Sequence, residues 1–371
     1  MKRATILFQP PNHIGLGHIS RLLAIALAVR GQRADLLLPF VVEGHGHGLI
    51  EAHRFPHLSA VGTYDFYETP HWSGWEPRRR HLMMLELASA QIRALAPDLI
   101  VFDCFPHTGI ATAAIEQRIP IAICLRQAKN MNVYFQPLKA LWSSVHRILI
   151  PHDPGTCDVP AELAPRTRFT GPIVRPRPPL PALPDPSTRH APGAAAAPVI
   201  ITGGGGGYAG TVDFYNLACR AFALARRQQP SLQGTLVAGP LFSDWSRLDL
   251  VEGLRVVPFD PDLSGTFASA GLVICQAGYN TVSELLSLGV PALCVPAERG
   301  YDDQFERARR SADASALFRM YAGGDPQACA DLMLTLLQAD RRPPQAADTA
   351  RGARIAAESL IELLPASHAA A

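Results

Sequence analysis

Apolar runs of strand length alternate along the whole chain with longer segments whose apolar positions recur at helical spacing. Because the strand-like runs are apolar almost throughout, they predict parallel strands covered by helices on both faces, an α/β architecture. In the first half, strands are predicted at residues 4–8, 34–39, 99–102, 119–125 and 147–150, and helices at 18–30, 79–95 and 108–117. In the second half, strands are predicted at 199–202, 235–238, 255–258, 272–275 and 292–295, and helices at 211–227, 281–288, 302–312, 327–337 and 346–364.

A proline-rich stretch interrupts this alternation near the middle of the chain. It reads RPRPPLPALPDPSTRHAPGAAAAP, and repeated proline excludes both a helix interior and a central strand. A length of 371 residues also suits two domains of roughly 150–190 residues each. We therefore predict an N-terminal domain at 1–174, a linker at 175–198, a C-terminal domain at 199–345, and a final helix and tail at 346–371.

The composition is that of a globular protein, with 48% hydrophobic and 18% charged residues. A net charge of +2 creates no strong field for nucleic acid, and no apolar run reaches the ~18–20 residues that span a bilayer. The basic start runs into Gln9 and Pro10 without a signal-peptide cleavage site, so we expect a cytoplasmic protein. The seven cysteines form no CxxC pair, which favours buried reduced thiols over a zinc site or disulfides.

The segment HIGLGHISR, residues 13–21, follows the first predicted strand and opens the first helix. It places His18 at the carboxyl end of a strand, where open α/β sheets bind their ligands. Asp103 ends a later strand at the same edge, so its carboxylate could orient the imidazole and raise its basicity. The alternative is structural, with His18 as a packed or capping histidine and Asp103 as the N-cap of the following helix.

A run of five glycines at residues 203–207 lies between a predicted strand and a predicted helix. Successive backbone N–H groups in such a loop can form a cradle for an anion, although a flexible turn is the alternative. No GK[ST] follows the glycines, so the loop is not a P-loop.

The segment QAGYNTVSELL is the most specific signal in the chain. It follows a buried strand and begins a helix, so free N–H groups from Gly278 to Thr281 can bind a diphosphate. Glu284 lies four residues after Asn280, on the same helix face, where a carboxylate can accept both hydroxyls of a ribose. Complementing the helix dipole is the alternative role of Glu284, but that role leaves the neighbouring Gly-Tyr-Asn unexplained.

Two polar residues, Asp303 and Gln304, open the next helix and are placed to hydrogen-bond the hydroxyls of a small ligand. The alternative is that Asp302 and Asp303 are solvent-facing acids of a helix N-terminus, which are common at this position.

Two segments resemble metal sites but are interpreted otherwise. Asp260-Pro261-Asp262 has the DxD pattern of manganese-dependent sugar transferases, yet its proline indicates a turn before a helix. His45 and His47 have no third ligand nearby in the sequence. We therefore predict no metal and no other cofactor.

Together, these segments resemble the GT-B glycosyltransferases of family 28, which include the N-acetylglucosaminyltransferase of bacterial cell-wall synthesis, and a group of bacterial predicted glycosyltransferases. The shared motifs are GLGH, FTGPIVRP, the glycine loop, GYNTVSELL and a later DQ. The resemblance extends from about residue 5 to 312 and is looser at 41–93. It implies two Rossmann-like domains with parallel sheets facing a central cleft, and a nucleotide-diphosphate sugar, with UDP favoured, as donor.

The resemblance also implies roles for individual residues. Glu284 would hold the ribose, the backbone at Phe259 and Asp260 would read the base, and Asp303 with Gln304 would contact the sugar. The donor set is Gly204, Gly205, Phe259, Asp260, Gly278, Tyr279, Asn280, Thr281, Glu284, Asp303 and Gln304. The acceptor side is assigned Gly15, Gly17 and Arg126. His18 and Asp103 are similar in placement to the His–Asp base pair of small-molecule glycosyltransferases.

We accordingly expect a metal-independent, inverting transfer of a sugar to a small-molecule, peptide or lipid acceptor. A hydrolase or epimerase of nucleotide sugars on the same scaffold is the alternative, and a non-catalytic sensor is a third class. An NAD dehydrogenase is disfavoured, because Ser20 replaces the third glycine and Asp35 precedes its strand. Residues 41–93, with two tryptophans and an arginine triplet, are expected to shape the acceptor side, and they leave peripheral membrane contact open.

Overall fold

The computed structural model describes residues 3–11, 15–44, 46–60, 76–175, 197–339 and 350–365. The chain divides into two compact units. The N-terminal unit comprises Met1–His13, His18–Pro176 and Ala350–Ala371, and the C-terminal unit comprises Ile14–Gly17 and Arg177–Thr349. The linker predicted at 175–198 falls almost entirely outside the described residues.

The N-terminal unit contains one parallel sheet covered by helices. Its strands are β1 (Ile6–Gln9), β2 (Phe40–Val42), β3 (His57–Ser59), β4 (Leu99–Asp103), β5 (Ile121–Cys124), β6 (Val145–Ile150) and β7 (Thr167–Phe169). Its helices up to residue 135 are α1 (Gly17–Gln32), α2 (His47–Ala52), α3 (Pro77–Leu95), α4 (Thr108–Glu116) and α5 (Asn132–Phe135). The strand order is β3-β2-β1-β4-β5-β6-β7, and every pairing is parallel.

The C-terminal unit repeats this architecture. Its strands are β8 (Val199–Thr202), β9 (Gly234–Val237), β10 (Leu254–Val257), β11 (Leu272–Cys275), β12 (Ala292–Cys294) and β13 (Phe318–Met320). Its helices are α6 (Thr211–Gln228), α7 (Leu263–Ser269), α8 (Tyr279–Leu288), α9 (Gln304–Ala314) and α10 (Pro326–Leu337). The strand order is β10-β9-β8-β11-β12-β13, again parallel throughout.

The strand order of each sheet reverses at one place, between β1 and β4 in the first sheet and between β8 and β11 in the second. At such a switch point the connections leave towards opposite faces of the sheet, and a crevice opens at the carboxyl ends of the two strands. The residues that follow β1, β4, β8 and β11 are therefore the ones that the fold places to meet a ligand.

The last helix, α11 (Arg351–Ile361), packs on the N-terminal unit. Arg147 Nη2 in β6 lies 3.2 Å from Glu362 Oε2, just beyond the helix. A Cβ on Gly352 would lie 2.1 Å from the carbonyl oxygen of Pro172, so only glycine lets the helix approach the chain this closely.

The predicted class, α/β with parallel sheets, is confirmed, but one strand is displaced. The strand predicted at 34–39 is wrong, because α1 continues to Gln32 and the next residues form a turn. Leu37 makes only an isolated bridge with Thr5, and Pro39 has no N–H to donate. The strand in this region is β2, which begins one residue after the predicted range. Three strands of three residues each, β3, β7 and β13, were missing from the prediction.

Two further expectations concern thiols and membranes. All seven cysteines are free, and six of them are buried, which confirms the prediction of buried thiols for all but the half-buried Cys157. Within the described ranges, no helix is both long enough and apolar enough to cross a membrane.

Candidate active site

The structure brings His18 and Asp103 together at the switch point of the N-terminal sheet. His18 lies in the first turn of α1, after β1, and Asp103 is the last residue of β4. His18 Nδ1 lies 2.6 Å from Asp103 Oδ1. The carboxylate is fully buried, whereas the imidazole is 28% exposed. The pair is therefore a buried anion bonded to a histidine that solvent and ligands can still reach.

Arg21 completes this cluster, although the motif in which it lies predicts no role for it. Its Nε donates to Asp103 Oδ2 over 2.7 Å and its Nη2 donates to Oδ1 over 2.5 Å. The side chain is only 2% exposed, so the guanidinium neutralises the carboxylate out of contact with water. The signal was present, because Arg21 is three residues after His18 and therefore on the same face of α1.

The three charged groups set one another's ionisation. Burial alone would raise the pKa of Asp103, but Arg21 and the hydrogen bond from His18 hold the pKa of that carboxyl well below its usual range. Burial also opposes a positive charge on His18. The hydrogen bond and negative charge of Asp103 outweigh it and raise the pKa of His18 to about 9.

Of the two ring nitrogens of His18, Nδ1 is bonded to Asp103, and Nε2 is the one that can exchange a proton with a ligand. Because Nδ1 bonds to a carboxylate, its proton stays there and Nε2 carries the lone pair whenever the ring is neutral. In the described part of the chain, Nε2 has no oxygen or nitrogen atom as a hydrogen-bond partner, and the neighbouring polar group is the thiol of Cys104, which also interacts with the ring. His18 can therefore exchange a proton with a ligand through Nε2 while Asp103 stabilises the imidazolium.

The backbone after β4 turns sharply at Cys104, which has a φ of +57° in the left-handed region. A conformation of this kind costs a non-glycine residue roughly 1–3 kcal/mol and is retained mainly at functional sites. The N–H of Phe105 donates to the carbonyl of Asp103 over 2.6 Å, which closes the turn. The turn lies directly after the carboxylate that the site uses.

The ligand atoms of His18, Asp103 and Cys104 lie within 4.8 Å of one another, close enough to share a metal ion. Arg21, however, donates to both carboxylate oxygens and already supplies a cation at that position. A second cation there would have to overcome this repulsion. The residues fit a proton-transfer pair better than a metal centre.

Arg126, assigned to the acceptor side, is half-buried just after β5. The residues that follow it line a cavity of about 630 Å³ at the carboxyl ends of β5 and β6. The polar residues of this lining are Gln127, Lys129, Asn130, Asn132, Thr156 and Asp158. The other two acceptor-side residues are glycines: Gly17 opens α1, and Gly15 follows residues 12–14, which lie outside the described ranges.

In the C-terminal unit, the glycine loop follows β8 at the second switch point. Gly206 has a φ of +82°, and a Cβ there would lie 2.5 Å from the carbonyl oxygen of Ala238, so the residue must be glycine. The N–H of Gly203 is satisfied by the hydroxyl of Tyr215 over 2.9 Å. Among the described residues, the N–H groups of Gly205–Gly207 have no acceptor. They are available to an anion.

The segment after β11 lies across the switch point from this loop. Gly278 is the N-cap of α8, and no side chain caps the helix, so its first N–H groups can serve a ligand. Glu284 lies one turn into α8 and is only 7% exposed. The first turn of α8, which lies between Gly278 and Glu284, contains Tyr279, Asn280 and Thr281. The predicted diphosphate and ribose residues therefore share one helix start.

Arg307 holds this turn in place and was also missed. Its Nη1 donates to the carbonyl of Ala277 over 2.8 Å, and its guanidinium is paired with Asp302 and lies 5.8 Å from the centre of the Tyr279 ring. Asp302 is 17% exposed, so the interpretation of this acid as solvent-facing is wrong. One cation thus connects α9 to the turn that precedes α8.

Asp303 and Gln304 have structural bonds but keep free polar atoms. Asp303 is the N-cap of α9, and its Oδ1 accepts from the N–H of Glu306 over 3.0 Å. Gln304 Oε1 accepts from the N–H of Ala297 over 3.0 Å. Asp303 Oδ2 and Gln304 Nε2 have no partner in the described part of the chain. Their sugar-binding roles stay predictions.

The DxD pattern has a local structural use. Asp260 Oδ1 accepts from the N–H of Asp262 over 2.9 Å, and its Oδ2 accepts from the hydroxyl of Thr266 over 2.5 Å. Asp262 is the N-cap of α7 and accepts from the N–H of Gly265. Half-buried Phe259 precedes this cap. Both carboxylates therefore shape the loop after β10, where the base-reading role of Phe259 and Asp260 stays a prediction.

Of the two histidines His45 and His47, His45 lies outside the described residues. His47 packs its ring against that of His57, with centroids 5.0 Å apart. The contact explains His47 as a packing residue of α2.

The C-terminal unit matches a known protein family. Residues 206–345 match the model of the glycosyltransferase family 28 C-terminal domain. The C-terminal unit therefore resembles the C-terminal domain of the family 28 glycosyltransferases. The matched range includes α8 with Glu284, Arg307 and part of the glycine loop, so the resemblance seen in the sequence is confirmed.

The curated relatives that match part of the chain are named as N-acetylglucosamine transferases. The chain is 38% identical over 122 residues to the UDP-N-acetylglucosamine--N-acetylmuramyl-(pentapeptide) pyrophosphoryl-undecaprenol N-acetylglucosamine transferase of a strain of Methylorubrum extorquens, covering 32% of this chain and 33% of the relative. It is 48% identical over 66 residues to the enzyme of the same name from Burkholderia orbicola, covering 18% of each. The matches thus span a third or less of these relatives.

Solved structures match nearly the whole chain. The glycotransferase of kitacinnamycin aligns with a TM-score of 0.61 at 15% identity, covering 98% of this chain and 100% of that one. MurG of Acinetobacter baumannii aligns with a TM-score of 0.56 at 19% identity, covering 98% and 99%. At these identities the likeness shows the fold alone, and it confirms the predicted GT-B class.

The cluster around Asp103 predicts a specific stability effect. Arg21→Met should destabilise the protein by about 3–5 kcal/mol, because it leaves a buried carboxylate without its cation. Adding Asp103→Asn should recover part of this loss, since the uncompensated charge disappears. Urea denaturation of the wild type, both single variants and the double variant measures the coupling. Strictly additive losses would contradict the buried ion pair.

Proposed function

We propose that the protein is a metal-independent, inverting glycosyltransferase that uses a nucleotide-diphosphate sugar, with UDP as the nucleotide. The observation that carries the proposal is the pair of segments with free backbone N–H groups at the β8/β11 switch point. There the unsatisfied N–H groups of Gly205–Gly207 and the uncapped start of α8 lie in or beside a family 28 domain. The relatives of this domain are named for a UDP-sugar donor.

Donor binding in this proposal uses backbone dipoles for charge and one carboxylate for specificity. The N–H groups from Gly278 to Thr281 stabilise the diphosphate, including the negative charge that it gains as leaving group. Glu284 accepts hydrogen bonds from the ribose hydroxyls, and burial keeps competing water away from it. Asp303 Oδ2 and Gln304 Nε2 supply an acceptor and a donor for sugar hydroxyls.

Catalysis in this proposal is one displacement at the anomeric carbon. His18 Nε2 takes the proton of the acceptor hydroxyl or amine as the acceptor oxygen or nitrogen bonds to that carbon. The bond to the diphosphate oxygen breaks at the same time, so the configuration inverts. Asp103 stabilises the imidazolium, and Arg21 keeps Asp103 ionised and fixed. Proton transfer of this kind contributes roughly 10²–10⁴ in rate.

The acceptor side is proposed to include the cavity at the carboxyl ends of β5 and β6. Its lining offers a cation at Lys129, an anion at Asp158 and amides at Gln127, Asn130 and Asn132. Met131, Phe135 and Val159 also line the cavity, so it suits an acceptor that combines hydrogen-bonding groups with apolar surface, whether a small molecule, a peptide or a lipid-linked one. The seven free thiols support a reducing compartment, so we propose that the protein lies in the cytoplasm.

Two variants separate donor binding from catalysis. Glu284→Gln should weaken UDP binding by about 1.5–3 kcal/mol, because a charged hydrogen-bond acceptor is lost. His18→Gln should leave UDP affinity unchanged and reduce kcat by roughly 10²–10⁴. Calorimetry with UDP, in EDTA, and donor turnover with a verified acceptor measure both effects.

Matched controls for these variants are Glu252→Gln and His81→Gln, which change exposed residues of the same types. These control variants should change neither the UDP affinity nor kcat. Full activity of His18→Gln would exclude His18 as the base. Sugar release that does not need an acceptor would instead identify a nucleotide-sugar hydrolase.

The raised pKa of His18 predicts the pH dependence of the reaction. A base must be neutral, so kcat/KM should rise about tenfold per pH unit up to pH 9 and level off above it. Asp103→Asn removes the charge that raises this pKa, so the rise should move to lower pH while the plateau falls. Titrating the His18 ring by NMR in both proteins checks the assignment independently of turnover. An unshifted His18 pKa in Asp103→Asn would contradict it.

A further inference from the structure

Arg299 lies on the loop after β12, at the carboxyl edge of the C-terminal sheet, and no motif in the sequence drew attention to it. Its Nη2 donates to Gln276 Oε1 over 3.0 Å, which places it beside the segment that leads into α8. Its Cζ lies 3.1 Å from the centre of the Tyr208 ring, so the guanidinium stacks on the residue that ends the glycine loop. Arg299 therefore contacts the segments on both sides of the β8/β11 switch point.

The charge of Arg299 is not neutralised by a direct partner. Among the described residues, no carboxylate lies within ion-pair distance of its guanidinium, and its hydrogen bond goes to a neutral amide. The side chain is half-buried, and burial lowers its pKa from the usual arginine value by more than Tyr208 and the more distant carboxylate of Asp302 raise it. By contrast, Arg307 in the same unit is paired with Asp302. A half-buried cation without a counterion is costly in the absence of a ligand and favourable when an anion binds.

We infer that Arg299 binds the diphosphate of the nucleotide-sugar donor, with the ring of Tyr208 and the amide of Gln276 holding its guanidinium in position. The inference rests on the proposed function and adds a side-chain cation to a site otherwise built from backbone N–H groups. An arginine donates several N–H bonds from one plane, which matches phosphate oxygens. Its fixed charge would serve the role that a divalent metal serves in metal-dependent transferases.

The test compares ligands that share a base and differ in phosphate. Calorimetry in EDTA with uridine, UMP and UDP is applied to the wild type, Arg299→Gln and Arg227→Gln. Arg227 is an exposed arginine in the last turn of α6, at the opposite edge of the sheet, so it controls for a general loss of positive charge. Thermal unfolding of each variant establishes that it is folded.

Arg299→Gln should bind UDP about ten- to a hundred-fold more weakly than the wild type, and uridine equally well. The UDP affinity of Arg299→Lys should lie between those of Arg299→Gln and the wild type, since lysine keeps the charge and loses the planar set of donors. Arg227→Gln should behave as the wild type. Equal losses for uridine and UDP would reduce Arg299 to a structural support, and unchanged UDP affinity would exclude it from the site; either result overturns the inference alone. A wild type that binds none of the three ligands would overturn the proposed function as well.

Discussion

The carboxylate of Asp103 is buried at the end of a β-strand, and the arrangement around it follows from the cost of that burial. An ion out of contact with water must be compensated by a nearby opposite charge and by hydrogen bonds to its oxygens. Arg21 provides the charge through two bonds, and His18 provides a further bond. Because both partners lie in the first turns of α1, compensating Asp103 also fixes this helix against β4 across the switch point. The partly exposed imidazole is therefore oriented by the same interactions that stabilise the fold.

In the proposed function, the two units interact with ligand charge by different means. The N-terminal unit concentrates ionised side chains at its switch point, in an arrangement suited to moving a proton. The C-terminal unit offers free backbone N–H groups in the glycine loop and at the start of α8. Two arginines, Arg299 and Arg307, add positive charge nearby. Fixed dipoles need no reorganisation when negative charge develops on a leaving group, which is the property that transfer from a nucleotide-diphosphate sugar requires.

The positions of His18, Asp103 and the segment that begins α8 could be predicted from the sequence, because position in an open parallel sheet follows from strand order and polarity. The α/β class could be predicted from the uninterrupted apolar strands, whereas the roles of these residues stay predictions. Arg21, Arg299 and Arg307 were missed, since the partner of an arginine depends on contacts between elements that are distant in sequence. The strand at 34–39 was misplaced for a local reason, because α1 extends to Gln32 and the turn after it takes up the residues assigned to the strand.

The most direct test of the account is backbone hydrogen exchange of the full chain with and without UDP, in EDTA. Binding at the β8/β11 switch point predicts slower exchange in residues 203–208 and 276–286, where the unsatisfied N–H groups would acquire phosphate acceptors. Residues 211–228 of α6 outside its first turn should be unaffected and serve as the internal reference. Protection confined to the N-terminal unit, or no protection at a saturating UDP concentration, would contradict the assignment of the C-terminal unit as the donor site.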